Sequence, residues 1–388
     1  MHLLLVSQYY STHGGGVEAV AHRLAEALLE RMPGLAIRWI ASDCDAVPRD
    51  LHPRLGCDPA PAWNGLERRL GVPYPFWSPR AMARLWRAVR EADAVHVHES
   101  VYIGSLLAYV FARCHRKPVV VTQHVGEIAF NRRALRVALA LLNRSFGRML
   151  LSGADRAFFI SPQVRDYFAR FCRFRAPPAY VPNGVDGVLY ACSDAAQVQA
   201  LKHGAGRDPQ RPLCLFVGRF VPRKGIDLVL AMARSLPGVD WILAGNGVLR
   251  PEDAGLGNVS VLRGRSGAQI AALYRLADLL VLPSTGEGFP LVVQEALACG
   301  TPALVSPATA QGCPPAGPFL FTEDLPEKGA AESWARRVNE LLADPKLLSR
   351  RTELAQAARR LRSWEGAAEP YLAALCAICG DSRVAADG

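Results

Sequence analysis

The chain has 388 residues, half of them hydrophobic, with 45 Lys and Arg against 35 Asp and Glu and a net charge of +10. That composition excludes a disordered or fibrous chain and suffices for two or three globular domains, with disorder expected only in the tail "GDSRVAADG". No apolar run reaches the ~18 residues of a membrane span, and "MHLLLVSQYY" is too short for a secretory core and lacks its basic flank, so it reads as a first strand.

The ten cysteines show no paired Cys/His metal spacing and read as reduced cytoplasmic thiols. The charge is uneven: residues 1–190 carry 24 Lys/Arg against 15 Asp/Glu, residues 191–388 carry 21 against 20. The N-terminal half is therefore expected to face something anionic, phospholipid headgroups or a phosphorylated acceptor before nucleic acid.

In chain order, "LLLVS" (3–7) leads to a helix over Val17–Arg31, whose Val17, Val20, Ala21, Leu24 and Leu28 share a face. Further strands are predicted at 37–42, 94–98, 119–123 and 156–160, nearly all apolar, as buried parallel strands are. The second half repeats the pattern, with strands at 213–218, 240–245, 259–262, 279–284 and 302–306 and helices at 226–235 and 267–277. Two blocks of strand–helix alternation predict an α/β protein of two doubly wound domains. The break falls near 185–212, where periodicity fades and turn residues accumulate. Two helices are expected over 331–361 and a last one near 364–379.

Chemistry-bearing residues cluster just past the predicted strands. In "GEGFPLVVQEALACG" (286–300), Glu287 precedes a helix expected to start at Pro290, and Glu295 lies more than a turn into it. The free amides of Leu291 and Val292 would form an anion site. By themselves, the two carboxylates are equally well a dipole complement with a solvated face, or two grips on one ligand. "GRFVPRKG" (218–225) adds Arg219 and Lys224 at the same sheet edge, a fork and a point charge suited to a diphosphate. "STHGGGVEAV" (11–20) places Gly14, Gly15 and Gly16 at a helix start, where backbone approaches a phosphate or sugar closely. It matches neither the dinucleotide fingerprint nor the P-loop. His124 stands just past strand 119–123; a lone histidine there is more often structural than functional. His96 and His98 imitate a metal pair, but no third ligand is evident and a structural role is favoured.

Together these pieces resemble the retaining GT-B glycosyltransferases of glycosyltransferase family four, in the family's order and over nearly the whole chain. "GGGVEAVAHRLAEAL" is similar to its glycine loop and helix, "VVVTQH" to the strand ending in its active-site histidine, and "VPNGVD" (181–186), with Asn183, to its inter-domain turn. "GRFVPRKG", "LAGNGVLR" and "LPSTGEGFPLVVQEALACGTP" resemble the donor half, the last with the E-x7-E element formed by Glu287 and Glu295.

The resemblance implies two Rossmann-like domains facing a cleft: an acceptor domain over 1–190, joined by a crossing helix at 364–380, and a donor domain over 191–363. It implies that Arg219 and Lys224 hold the diphosphate, Glu295 the ribose, and Glu287 the transferred sugar. Backbone around Gly288, Phe289, Pro290, Leu291 and Val292 would add phosphate contacts. Gly15, Gly16 and Asn183 would line the substrate site, and His124 would touch the sugar near its 6-hydroxyl. No metal and no cofactor beyond a UDP- or GDP-linked donor is implied, and the anomeric configuration would be retained. One departure is "SPATAQGCPPAGPFLFTEDLPEKGAAE" (306–332), which stands where the family often has G-x-E and bears on lid contacts and sugar preference.

"NRRALRVALALLNRSFGRMLL" (131–151) reads as a basic amphipathic helix. At 100° per residue, Arg133, Arg136, Arg144 and Arg148 share one side; Leu135, Leu139, Leu142, Phe146 and Met149 lie opposite and are expected to pack on the domain's own core. With "LERRLGVPYPFWSPRAMARLWRAVR" (66–90), it predicts peripheral attachment to the cytoplasmic face of an anionic membrane, with a lipid-linked or saccharide acceptor. The competing readings are a sugar-nucleotide epimerase, a phosphorylase, and a membrane-associated scaffold without activity; a nucleic-acid binder finds no recognition motif.

Overall fold

The structure, a computed structural model, describes residues 1–65, 74–126, 133–285, 289–313, 319–361 and 363–380. Almost all of the expected tail lies outside the described residues. The chain divides into two compact units, Met1–Gly184 with the chain from Trp364 onward, and Val185–Ser363.

Unit 1 is built on seven parallel strands: β1 (His2–Val6), β2 (Ala36–Ser42), β3 (Leu55–Ala60), β6 (Ala94–His98), β7 (Val119–Gln123), β8 (Arg156–Phe159) and β9 (Ala179–Tyr180). A short antiparallel ribbon, β4 (Ala62–Trp63) and β5 (Phe76–Trp77), stands apart from the sheet. The strand order is β3-β2-β1-β6-β7-β8-β9, so the direction of winding reverses between β1 and β6. Alternation along β1 feeds two cores. Leu3 and Leu5 join the side covered by helices Gly16–Arg31 and Trp364–Cys379; Leu4 and Val6 join the side under helices Pro79–Glu91 and Ile103–Cys114.

The last helix buries Ala367, Ala368, Tyr371 and Leu372, and the Thr122 hydroxyl donates to the Tyr371 hydroxyl at 3.1 Å. Near its end, Cys376 and Cys379 form a C-x-x-C spacing with no disulfide between them. Gly184 marks where the chain leaves unit 1, and a Cβ there would meet the Trp364 backbone at 2.5 Å, beside the point of re-entry.

Unit 2 carries six parallel strands, β10 (Leu213–Val217), β11 (Asp240–Ala244), β12 (Val259–Leu262), β13 (Leu279–Leu282), β14 (Ala303–Val305) and β15 (Leu320–Thr322). Their order is β12-β11-β10-β13-β14-β15, with the reversal between β10 and β13. Every residue of β10, β13 and β14 is buried, which explains their unbroken apolar runs.

The expected break near 185–212 is not a structureless linker. It holds a helix, Ala195–Gly204, opened by a capping box between Asp194 and Gln197. That helix sends Lys202 inward to a buried ion pair with Asp278 at 2.5 Å, and Asp278 also accepts the Leu213 amide at 2.8 Å. The stretch 331–361 forms three helices rather than two: Ala330–Leu342, Pro345–Ser349 and Arg351–Leu361. Within the Pro-rich segment, Ser306 caps a short helix, Pro307–Gln311, and β15 adds an edge strand; 314–318 lie outside the described residues.

The helical stretch after residue 132 departs from a simple wheel. Helix Arg133–Leu142 passes through a π turn at Asn143–Gly147 into helix Arg148–Gly153. A π turn advances less than 100° per residue, so positions beyond it rotate relative to those before. Asn143 and Gly147 turn inward, Asn143 donating to the Gly126 carbonyl at 3.0 Å. Phe146 and Met149, expected to be packed, are exposed at 45% and 42%, beside Val137 at 50% and Leu141 at 62%. Arg136, Arg144 and Arg148 are exposed with them. The side chains of Arg133 and Leu135, and residues 66–73 of the other arginine-rich stretch, lie outside the described ones.

Candidate functional site

In open α/β sheets, ligands bind beyond the carboxyl ends of strands, where the winding reverses. In unit 2 that point lies between the loops after β10 and β13. The β10 loop carries Arg219, which is exposed, and then a 3-10 turn, Pro222–Lys224. Gly225 ends the turn at φ 75° and opens helix Ile226–Ser235. A Cβ at Gly225 would lie 2.4 Å from the Pro283 carbonyl oxygen, so only glycine lets the two loops touch. The Arg223 carbonyl then accepts the Thr285 amide at 3.0 Å and the Ser284 hydroxyl at 3.3 Å.

A third loop joins them. Phe220 donates its amide to the Asn246 carbonyl at 2.7 Å, and a Cβ at Gly247 would sit 2.4 Å from the Phe220 carbonyl oxygen. Backbone contacts thus fix the loop holding Arg219 and Lys224 against the start of the segment that leads to Glu287.

Glu287 and Gly288 themselves lie outside the described residues. Phe289 and Pro290 are buried, and the helix runs Leu291–Ala298, with Pro290 at its cap rather than in its first turn. The first helical bonds run from the Val293 and Gln294 amides to the Pro290 carbonyl, leaving the Leu291 and Val292 amides outside the helical ladder. Glu295 is half-buried and accepts the Tyr274 hydroxyl at 2.9 Å. Burial, and then the Glu295 charge, push the Tyr274 hydroxyl well above its usual range, so it stays a donor that orients this carboxylate.

In unit 1, His124 follows β7 at the same kind of edge and is buried. The left-handed residue Glu99, φ 70°, follows β6 and wraps its carboxylate around the His124 loop. One carboxylate oxygen accepts the amides of His124 and Val125, each at 2.7 Å; the other accepts the Gln123 side chain at 2.6 Å. Burial outweighs these hydrogen bonds and pushes the Glu99 carboxyl up to about 8, with the Glu18 charge adding in the same direction.

His98 Nδ1 and His124 Nε2 lie 2.9 Å apart. Burial lowers His124 to about 3 and holds His98 well below its usual value, so both rings are neutral and share one proton. His98 Nε2 is buried without a partner among the described residues. An orphaned acceptor is cheaper than an orphaned N–H, which assigns the shared proton to His98. His124 then carries its own proton on Nδ1 and is a hydrogen-bond donor through that atom.

The rest of this edge is polar and underused. The Gln8 amide and the Ser42 and Ser100 hydroxyls are buried without partners among the described residues. Such groups normally meet ordered water or a ligand. The glycine loop is more constrained than its sequence suggests. Gly15 caps helix Gly16–Arg31, and a Cβ there would come within 2.1 Å of the Glu18 carboxylate, which folds back over the helix start. A carboxylate at that position favours a hydroxyl-bearing ligand over a phosphate. Asn183 is buried near the end of unit 1, next to Gly184.

Two family models match in succession. Glycosyltransferase Family 4 covers residues 14–187 and Glycosyl transferases group 1 covers residues 197–361. The chain belongs to glycosyltransferase family four. Its relatives include the D-inositol 3-phosphate glycosyltransferases of Segniliparus rotundus, 37% identical over 50% of this chain and 45% of that one, and of Mycobacteroides abscessus, 32% identical over 68% and 63%. The chain spans less than two thirds of the length of these relatives. Among solved structures, the sucrose-phosphate synthase of Thermosynechococcus elongatus superposes with a TM-score of 0.75 at 18% identity, covering 98% of this chain and all of that one. Anabaena HepE in complex with UDP and glucose gives 0.73 at 20% identity, covering 97% and 100%. The family's GT-B fold is thereby established for both units.

Several residues of these sites escape a motif reading. Glu99 lies in no stretch that resembles the family's motifs, yet it directly follows a buried strand, as His124 does. Tyr274, the partner of Glu295, lies 21 positions away from it and is found only by folding. The chain also contains an Asp-x-Asp spacing at Asp43 and Asp45. Its carboxylates are engaged, Asp43 by the Ala62 amide at 2.9 Å and Asp45 by His13 at 2.9 Å. His124 does join His96 and His98, but among the described residues no group of three or more His, Cys, Asp or Glu is arranged to hold a metal ion.

Proposed function

We propose that this chain is a retaining, metal-independent glycosyltransferase that moves a hexose-type sugar from a UDP- or GDP-linked donor to a lipid-linked or saccharide acceptor. The observation that carries the reading is the locked loop pair at the unit 2 switch point, where the Arg223 carbonyl and Gly225 bind Arg219 and Lys224 to the loop entering the E-x7-E segment. Arg219, Lys224 and the Leu291–Val292 amides then receive the negative charge that develops on the departing nucleoside diphosphate. Glu295, oriented by Tyr274, takes the ribose, and Glu287 takes the sugar. His124, donating through Nδ1, is assigned to a sugar oxygen, as the resemblance implies. The acceptor attacks on the face the diphosphate leaves.

The acceptor belongs to unit 1, whose buried edge holds orphaned polar groups suited to a polyhydroxylated ligand. The relatives' name makes a phosphorylated cyclitol one acceptor to test. Among the described residues no helix is long and apolar enough to cross a membrane. Peripheral attachment at the inner membrane face, in assembly of a surface polysaccharide or glycolipid, is supported by Val137, Leu141, Phe146 and Met149, exposed among arginines. Sedimentation with anionic vesicles after charge reversal of Arg136, Arg144 and Arg148 checks this; unchanged binding refutes it.

The deciding experiment is a thermal-shift panel of UDP-, GDP- and ADP-sugars. Stabilisation by one base is expected, and no response to any of them would overturn the donor assignment.

A further inference from the structure

Unit 1 has a second basic surface, at the sheet edge opposite His124. A groove of about 590 Å³ opens where β7 and β8 begin. It is lined by Arg113, Arg116, Lys117, Arg156 and Arg175, with Asp155 as the single carboxylate among its lining residues. Asp155 is already committed: it accepts the Val119 amide at 2.8 Å and Arg175 at 3.2 Å, and its carbonyl accepts Arg156 at 2.9 Å. The side chains of Arg113, Arg116 and Lys117 make no hydrogen bond or ion pair among the described residues.

Arg113 has an ordinary reason for its place, since it lies in the last turn of helix Ile103–Cys114 and complements the helix dipole. Arg116 and Lys117 follow in the turn that closes the helix, where the Lys117 amide donates to the Ala112 carbonyl at 2.8 Å, but their side chains reach the groove. Arg116 takes the left-handed conformation of that closing turn, φ 54°, although it is not glycine. Three neighbouring cations without a counter-ion concentrate positive charge at the groove. Charge of one sign, gathered in a groove and unmatched by its lining, is what an anion would neutralise.

We propose that this groove binds a phosphoryl-bearing anion. Guanidinium forks and a lysine point charge match that chemistry. The five residues of β7 separate the groove from the His124 edge by about 15 Å, so the ligand is an effector or an anchoring group and not a reactant. The phosphoryl group comes either from a soluble polyphosphate or from a lipid headgroup.

The test compares the wild-type chain with Arg113→Ala/Arg116→Ala/Lys117→Ala, using inorganic tripolyphosphate in one arm and phosphatidylglycerol vesicles in the other. The Arg116→Asn variant, whose residue suits the left-handed backbone, repeats it while leaving Arg113 in place. Without ligand, the triple variant is expected to melt close to wild type, with only the small loss of the Arg113 helix-end contribution. Tripolyphosphate is expected to stabilise wild type and to bind the triple variant at least ten-fold more weakly; a difference in the vesicle arm alone assigns the site to a lipid headgroup. If neither probe distinguishes the variants from wild type, or if the ligand-free triple variant melts well below it, the cations serve the fold and the proposal fails. UDP-sugar stabilisation, measured in parallel, is expected to be unchanged, which separates this site from the donor site.

Discussion

Replacing Glu99 with glutamine removes a titrating group from the hydrogen-bond network around His124 while keeping its shape. The new side-chain carbonyl can still accept the His124 and Val125 amides, but the new side-chain amide then faces that of Gln123, which in the native chain sits 2.6 Å from a carboxylate oxygen. Gln123 cannot simply flip, because its oxygen accepts the Ser100 amide at 3.0 Å. One buried donor is left unpaired in the variant, as it is in protonated Glu99, whose O–H meets the same amides. The pH dependence is more specific. A carboxyl raised from 4.5 to about 8 binds more protons folded than unfolded. Its contribution is fully present below pH 4.5 and is lost as pH rises through about 8, at up to about 1.4 kcal/mol per pH unit. Glu99→Gln removes that slope, so the variant should gain stability relative to wild type as pH rises from 5 to 9. Urea melts of both proteins from pH 5 to 9 measure it. Parallel stability curves would refute the buried-carboxyl reasoning.

Other substitutions test the donor unit. Arg219→Ala, at an exposed side chain, should leave the melting temperature nearly unchanged and weaken UDP binding by about 1.5–3 kcal/mol, read by calorimetry. Glu295→Gln should weaken nucleotide binding, whereas Glu287→Ala should mainly lower turnover; the reverse pattern would refute the two roles. Gly225→Ala forces a Cβ onto the Pro283 carbonyl at φ 75° and should cost at least about 1–3 kcal/mol in denaturant melts, with loss of donor binding. Lys202→Met strands the buried Asp278 carboxylate and should cost about 3–5 kcal/mol, checked the same way.

The local pattern determined much of this protein. Most strands of both sheets were legible because parallel strands covered on both faces must be apolar throughout. β3 was not, since Gly56 and Pro59 interrupt it, and only an edge position tolerates the missing proline amide. The helix at Ala195–Gly204 is legible only through its cap, spelled by Asp194 and Gln197. The positions of Arg219, His124 and Glu295 past strands or within a helix were readable as well, because they depend only on neighbouring residues.

What tertiary structure alone decided is which of these groups meet. Gly225 against Pro283, Tyr274 on Glu295, and Glu99 around the His124 loop join residues distant in sequence. The outward turn of Phe146 and Met149 depends on a π turn that a wheel cannot anticipate. Periodicity reports the environment of each residue, while contacts between separate loops depend on how the sheet is wound, and that is settled only when the whole chain folds.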